Sequence, residues 1–198
     1  MAVDGQPHVR EVGPLNALRT TAALAAAIGT AVKSVIGGSR AAVRVQLDVG
    51  ADAPEFSLPA SDGRSYRLSD FRGRSVVVIA WFPKAFTGGC TAECRSIGTT
   101  KLALDGYDAA VFAASCDTVD TNRAFAESMG IDLPILSDAD ASVARAYGVL
   151  GPLGLPSRWT IYIGVDGRIL AIDRDVKTGS HGDDIRSTLE RFGVSRRP

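Results

Sequence analysis

Hydrophobic positions along the chain are concentrated in short runs separated by more polar stretches. Short apolar runs predict strands, and they occupy residues 75–82, 109–114, 133–136, 159–164 and 168–173. The first of them is almost wholly apolar and β-branched, as in a buried parallel strand. Between and after them we expect helices over 91–104, from 118 or 120 to 129, over 138–147 and over 180–192. The last of these carries Ile185 and Leu189 on one face. Such alternation predicts an α/β domain with a mostly parallel central sheet covered by helices.

Turn and capping residues set the ends of these elements. Thr118 or Asp120 caps the second helix, Gly130 ends it, and Gly148 ends the third. The sequence Val-Asp-Gly at 165–167 is a strong hairpin signal, so the last two strands add an antiparallel hairpin to the sheet. This order of elements predicts a thioredoxin-like fold. Ahead of the first long strand we expect a loop over 50–59, a short strand over 66–68 and a helical turn at 69–70.

The first 44 residues differ in composition from the rest and predict an extension that precedes a domain over 45–198. The segment is rich in alanine, and its uncharged run 20–32 is shorter than the roughly 20 residues that cross a membrane. Three interpretations stay open: a signal peptide, an amphipathic helix that lies on a membrane or on the domain, and a loosely ordered extension. Membrane association through residues 1–40 is therefore one alternative.

Charge and cysteine usage exclude several classes of function. The 198 residues include 22 Lys and Arg balanced by 22 Asp and Glu, so no field of one sign attracts nucleic acid. Three cysteines and two histidines are too scattered for a zinc site, and the odd cysteine count does not suit a disulfide framework. Reactive thiols in a reducing compartment fit better. We expect a cytoplasmic protein, with a membrane-associated or exported form as the alternative.

Cys90 is the strongest candidate for chemistry. It follows the predicted strand at 75–82 and precedes the predicted helix at 91–104. The first N–H groups of a helix lack acceptors within it, and the helix dipole is positive there. Both effects favour the thiolate, which is the nucleophilic form of cysteine.

The residues around Cys90 form a recognisable motif. Pro83, Thr87 and Cys90 make the pattern Pro-x-x-x-Thr-x-x-Cys, which resembles the active-site loop of the peroxiredoxins. Other segments that look like this family lie at 50–58, 62–63, 68–73, 115–117, 125–127, 136–138, 146–149 and 156–160. The resemblance covers roughly residues 45–190, and the subgroup that the chain most resembles is the bacterioferritin-comigratory, or Q-type, one.

The resemblance implies a thiol-dependent peroxidase that reduces hydrogen peroxide and organic hydroperoxides. Cys90 would attack the O–O bond, and Thr87 would place a hydroxyl beside the sulfur and the peroxide. Pro83 would fix the loop and shield the site from water, and Arg158 would bring a permanent cation to the sulfur. An adjacent arginine or helix N-terminus lowers a cysteine pKa from about 8.5 to roughly 3.5–7.5. The resemblance implies no metal, haem or flavin cofactor.

The same resemblance gives Cys94 the role of resolving cysteine, which captures the sulfenic acid at Cys90 as an intramolecular disulfide. Cys94 follows at four residues, whereas the commonest Q-type pattern has five. Side chains one helical turn apart have Cβ atoms about 5–6 Å apart, and a disulfide needs roughly 3.8 Å, so the helix has to distort in each cycle. The alternative is that Cys94 is a packed core residue and an external thiol resolves Cys90. A thioredoxin or similar thiol would regenerate the enzyme, which we expect to be a monomer or homodimer.

Other candidates receive structural interpretations. We expect Cys116 to pack, with a second resolving thiol as the alternative, and both Trp81 and Trp159 to pack near the site. His181 should touch solvent or the start of its helix and take no part in acid–base chemistry. Glu93 should lie in the first helical turn, where a carboxylate suits the dipole, and orient a neighbour such as Arg95.

Two rival functions remain at this point. A thiol-disulfide oxidoreductase on the same fold would normally carry Cys-x-x-Cys, and this chain has Cys-x-x-x-Cys within the Pro/Thr loop. A redox-sensing protein would use the cysteine pair as a switch without turnover. Repeated peroxide consumption distinguishes an enzyme from that switch.

Overall fold

The computed structural model describes residues 47–197. The expectations for the extension over 1–44 and for the start of the domain at residue 45 lie outside the described residues. Within 47–197 the strands are β1 (Ser57–Pro59), β2 (Ser65–Arg67), β3 (Val76–Trp81), β4 (Ala109–Ser115), β5 (Ile135–Ser137), β6 (Thr160–Ile163) and β7 (Ile169–Asp173). The helices are α1 (Gly88–Asp105), α2 (Val119–Met129), α3 (Ser142–Ala146) and α4 (His181–Arg191), and a 3-10 helix covers Leu68–Phe71.

Five strands form the central sheet, in the order β5-β4-β3-β6-β7. β3, β4 and β5 are parallel neighbours, whereas β6 runs antiparallel to both β3 and β7. The remaining strands, β1 and β2, form a separate antiparallel pair. The predicted thioredoxin-like α/β fold is confirmed, with the terminal hairpin extending the parallel part of the sheet.

Some element boundaries differ from the prediction for local reasons. Residues 57–59 form β1 instead of a loop because each pairs with a residue of β2. The sequence also predicts a helix from residue 138, but α3 begins only at Ser142, after Ala141 with a left-handed φ of 56°. Asp138 precedes this helix, and its carboxylate accepts hydrogen bonds from the amides of Val143 and Ala144. It therefore caps the start of α3 and is not part of it.

The sheet separates two hydrophobic cores, because successive side chains of a strand point to opposite faces. Val77, Ile79 and Trp81 of β3 belong to the first core, which also receives β1, the 3-10 helix and α3. Val76, Val78 and Ala80 belong to the second core, which receives α1, α2 and α4. No helix among residues 47–197 is long and apolar enough to cross a membrane.

Candidate active site

The loop between β3 and α1 carries the Pro-x-x-x-Thr-x-x-Cys motif. α1 begins at Gly88, earlier than predicted, with Thr87 as its extended N-cap residue, so Cys90 lies in the first helical turn. The N–H groups of this turn have no acceptor within the helix, and the helix dipole is positive here. Cys90 itself is 0% exposed. Its sulfur is therefore held at the positive end of α1 and shielded from bulk water.

Arg158 reaches Cys90 because of the direction of β6. Since β6 is antiparallel to β3, its first residue Thr160 pairs with Ala80 near the end of β3. Arg158 lies just before Thr160 and is thus held beside the loop that follows β3. Its Nη2 donates a hydrogen bond to Cys90 Sγ at 3.3 Å. A Cβ atom on Gly89 would lie 3.3 Å from the same Nη2, so the glycine leaves room for the guanidinium.

Glu93 contacts Arg158, which the sequence does not predict. Because α1 begins at Gly88, Glu93 lies in its second turn, so the expectation of a place in the first turn is wrong. It shares the face of Cys90 and is 1% exposed. Its Oε2 accepts a hydrogen bond from Arg158 Nη1 within an ion pair. The expectation that Glu93 orients Arg95 is wrong, because Arg95 is exposed to solvent and Glu93 faces the core.

His181 is also placed differently from its prediction. It begins α4 but is 1% exposed, so the expectation of solvent contact is wrong. Its Nδ1 lies 3.1 Å from Glu93 Oε1, and its Nε2 lies 2.7 Å from Thr160 Oγ1. Burial lowers the pKa of His181 to about 4, against the opposing effect of Asp173 and Asp184. The imidazole is therefore neutral at neutral pH.

The close approach of α1 and α4 brings His181 to Glu93. A Cβ atom on Gly182 would lie 2.4 Å from the carbonyl oxygen of Ser96 and 2.4 Å from Thr100 Oγ1. The amide of Gly182 instead donates a hydrogen bond to Ser96 Oγ at 3.1 Å. Only a residue without a side chain fits this contact, which explains how a helix from the end of the domain contributes to the site.

Asp117 fixes the motif loop from the side of β4. One carboxylate oxygen accepts a hydrogen bond from the amide of Ala85 at 2.8 Å, and the other pairs with Lys84 Nζ at 3.1 Å. The Thr87 hydroxyl donates to the carbonyl of Lys84 at 3.1 Å, so towards a bound peroxide it is left to act as an acceptor. Pro83 is partly buried at the start of this loop.

The three cysteines are free thiols in different surroundings. Cys94 lies in the same core as Cys90, one turn further along α1, and is 0% exposed. Burial and the neighbouring Cys90 sulfur raise the pKa of the Cys94 thiol to about 12. Cys116 is partly buried against the first core, and burial together with nearby carboxylates raises its pKa to about 11. Cys90, which accepts a hydrogen bond from the Arg158 guanidinium, is therefore the thiol best suited to act as a nucleophile.

Both tryptophans pack, but against the first core and not in the core that holds Cys90, so the expectation that they pack near the site is wrong. Trp81 is fully buried in the first core, on the face of the sheet away from Cys90. Trp159 packs against the same core, and the Arg174 guanidinium lies 4.6 Å from its ring centroid.

This arrangement is suited to attack by sulfur on a polarised bond. The Arg158 cation and the N-terminus of α1 stabilise negative charge on Cys90. The same donors can stabilise negative charge that develops on a leaving oxygen close to the sulfur. The residues therefore supply a nucleophile, a fixed cation and hydrogen-bond donors around the buried Cys90 sulfur.

Comparison with known proteins points to the same chemistry. Residues 49–172 match the model of the AhpC/TSA family. The chain is 32% identical over 151 residues to peroxiredoxin Bcp from Escherichia coli K12, an alignment that covers 73% of this chain and 96% of the relative. The crystal structure of peroxidoxin BcpB from Mycobacterium tuberculosis is similar at a TM-score of 0.67 and 31% identity, over 74% of this chain and 99% of that one. The structure of the Xanthomonas campestris bacterioferritin comigratory protein is similar at a TM-score of 0.66 and 25% identity, over 75% and 98% of the two chains.

Proposed function

The chain belongs to the AhpC/TSA family and is a peroxidase of the peroxiredoxin kind, and on that premise we propose that Cys90 is its peroxidatic cysteine. Thr87, Pro83 and Arg158 complete the catalytic site. The observation that carries the proposal is the hydrogen bond from Arg158 Nη2 to Cys90 Sγ at the N-terminus of α1.

The first step is attack of the Cys90 thiolate on the nearer oxygen of a hydroperoxide. The S–O bond forms as the O–O bond breaks, which leaves a sulfenic acid on Cys90 and an alkoxide or hydroxide that takes up a proton. Arg158 and the first-turn amides stabilise the charge on the departing oxygen. Hydrogen peroxide and organic hydroperoxides both fit this scheme, and alkyl peroxide reduction activity is described for the similar Xanthomonas protein.

The second step in this proposal uses Cys94 as the resolving thiol. The Cys94 sulfur attacks the sulfenic sulfur of Cys90, and a disulfide forms with release of water. α1 is continuous from Gly88 to Asp105, so its first turns have to unwind before the two sulfurs can bond. The Gly-Gly pair at 88–89 supports such unwinding, because glycine adopts many backbone conformations at little steric cost.

The enzyme needs an external dithiol to complete the cycle. A thioredoxin or similar protein would reduce the disulfide between Cys90 and Cys94 and become oxidised itself. We further propose a monomer or homodimer in the cytoplasm, where such reductants occur, and fractionation of cells that express the chain with and without residues 1–40 tests this location. Recovery of the full-length chain in the membrane fraction, and its loss when residues 1–40 are removed, would contradict the cytoplasmic placement.

Stopped-flow peroxide consumption coupled to a thioredoxin system tests the assignment of the cysteines. Cys90→Ser should abolish turnover and oxidation by peroxide, whereas Cys94→Ser should lose turnover yet still be oxidised once. Cys116→Ser is the matched control and should keep the wild-type rate. Full turnover by Cys90→Ser would refute the choice of nucleophile, and wild-type oxidation that stalls after one equivalent would favour a redox switch.

A further inference from the structure

A line of buried polar groups continues behind Cys90 and Arg158. It runs from Arg158 through Glu93 to His181 and ends at the Thr160 hydroxyl. Glu93 and His181 are each 1% exposed, although the scheme proposed above for peroxide reduction uses neither side chain. Burying a carboxylate and an imidazole beside a reactive thiol is costly unless both find partners.

The distances and the protonation state fix which ring nitrogen of His181 carries the hydrogen. Because burial keeps His181 neutral, one of its ring nitrogens is a donor and the other an acceptor. Nδ1 faces a carboxylate oxygen of Glu93 at 3.1 Å, which can only accept, so Nδ1 carries the hydrogen. Nε2 then accepts from the Thr160 hydroxyl at 2.7 Å.

The contact between His181 and Glu93 has no substitute in the site. Although the two atoms are 3.1 Å apart, they are not aligned as a full hydrogen bond, and among residues 47–197 neither has another hydrogen-bond partner. A buried polar atom without a partner costs about 1–3 kcal/mol. The contact between His181 Nδ1 and Glu93 Oε1 therefore offsets the burial cost of both atoms.

Arg158 divides its two terminal nitrogens between different partners. Nη1 donates to Glu93 Oε2 and Nη2 donates to Cys90 Sγ. An arginine facing a carboxylate generally prefers a two-pronged contact in which both nitrogens bind both oxygens. Here His181 faces Oε1, the oxygen that such a contact would need. The Nη2 group consequently remains directed at the sulfur.

We propose that His181 is a positioning residue of the peroxidase site, which occupies one oxygen of Glu93 and so keeps Arg158 Nη2 directed at Cys90. This inference rests on the proposed role of Cys90. The other charged groups around the imidazole are Arg158 before β6, Asp173 at the end of β7 and Asp184 on α4, which also affect its protonation. The Gly182 contact with α1 fixes where the ring lies.

Substitutions of His181 and Thr160 in the full-length reduced chain test the proposal. His181→Leu frees Oε1, and we expect the rate constant for Cys90 oxidation by hydrogen peroxide to fall at least about tenfold. The pH midpoint for alkylation of Cys90 by iodoacetamide should rise, because the cation has moved from the sulfur. His181→Asn places an amide donor near the position of Nδ1 and should restore most of the rate and the midpoint.

His181→Phe supplies a second route to the same test if His181→Leu does not fold. The phenyl ring has no donor towards Glu93 Oε1, so the same changes are expected, whereas Thr160→Val leaves the Nδ1 hydrogen facing the carboxylate and should keep the wild-type midpoint. Wild-type rate and midpoint in both His181→Leu and His181→Phe would overturn the proposal, as would a failure of His181→Asn to restore activity in a folded protein. Alkylation needs no peroxide, so a wild-type protein that fails to reduce peroxide refutes the proposed function while the alkylation midpoints still decide this inference.

Discussion

Arg158 Nη2 lies 3.3 Å from Cys90 Sγ, although the two residues are 68 positions apart in the sequence. Cys90 belongs to α1, and Arg158 lies just before β6. The pairing depends on β6 being antiparallel to β3, since this places the start of one strand beside the end of the other. If β6 ran parallel to β3, the start of β6 would lie beside the start of β3, far from Cys90. The cation therefore owes its position to the terminal hairpin.

Replacing Arg158 should slow the reaction and also destabilise the fold, because the buried Glu93 carboxylate loses its ion-pair partner. In Arg158→Met, the cation beside the sulfur is lost, and we expect the rate constant with hydrogen peroxide to fall about 100-fold or more. Arg158→Lys retains the charge without the two-nitrogen fork and should recover only part of the rate. Stopped-flow oxidation kinetics measure both variants. Equal rates for Arg158→Met and wild type would remove the cation from the mechanism.

Alkylation of the native reduced protein should discriminate among the thiols. The pKa of Cys94 is raised to about 12 by burial and by the Cys90 sulfur, so Cys94 stays protonated at pH 8. We expect iodoacetamide to modify Cys90 first and to leave Cys94 unmodified over the same period. Peptide mass spectrometry provides the measurement, and the unfolded protein, in which all cysteines react, is the control. Faster modification of Cys94 than of Cys90 would contradict this order.

The contact between α1 and α4 should be sensitive to a single methyl group. In Gly182→Ala the new Cβ would overlap the Ser96 carbonyl oxygen and Thr100 Oγ1, and the helices must move apart. Overpacking of this kind costs about 1–3 kcal/mol of unfolding free energy. Gly179→Ala, just before α4, meets no atom within 4 Å and is the matched control. Urea denaturation compares them, and equal midpoints would show that the helices adapt without cost.

Stability should fall on mild acidification because of His181. Its pKa is lowered from 6.5 to about 4 in the folded protein, so between these values the unfolded chain binds a proton that the folded chain does not. Folded stability from this group is complete above pH 6.5 and is lost as the pH falls towards 4. The loss at pH 5 relative to pH 7.5 is about 2 kcal/mol.

His181→Asn isolates this effect because asparagine does not titrate. The difference in unfolding free energy between the wild type and His181→Asn should shrink by that amount from pH 7.5 to pH 5. Urea denaturation at several pH values measures it. A difference that is constant with pH would mean that His181 keeps its ordinary pKa.

The local pattern of the sequence predicts the elements and the position of Cys90. A few neighbouring residues encode the buried strand and the motif that places Cys90 near a helix start. The capping of α2 is just as local, because the Thr118 side chain accepts a hydrogen bond from the amide of Thr121. The left-handed Gly130 that ends α2 is likewise a local signal. Features of this kind depend on neighbours in the chain, and sequence reasoning finds them.

The contacts of Glu93 and His181 have no such local signal. They depend on how closely α1 and α4 approach, and that approach depends on Gly182 meeting Ser96 across the interface. A glycine near the start of a helix normally indicates only a turn or a weak helix end. The available clue was a histidine followed by a glycine at a helix start, together with a glutamate elsewhere in the chain. The sequence does not show that these residues meet, because their contact forms only when the two helices pack.

The position of Glu93 between the two cysteines in sequence links the firmness of α1 to the fate of the oxidised enzyme. If Cys94 captures the sulfenic acid, the turn that holds Glu93 against Arg158 and His181 must first come apart. Firmer contacts then prolong the lifetime of the sulfenic acid, during which a second peroxide can oxidise it to sulfinic acid, beyond the reach of ordinary thiols. The same ion pair that prepares Cys90 for its first reaction would thus set the lifetime of the sulfenic acid. The fraction of enzyme lost as sulfinic acid would then rise with the amount of peroxide.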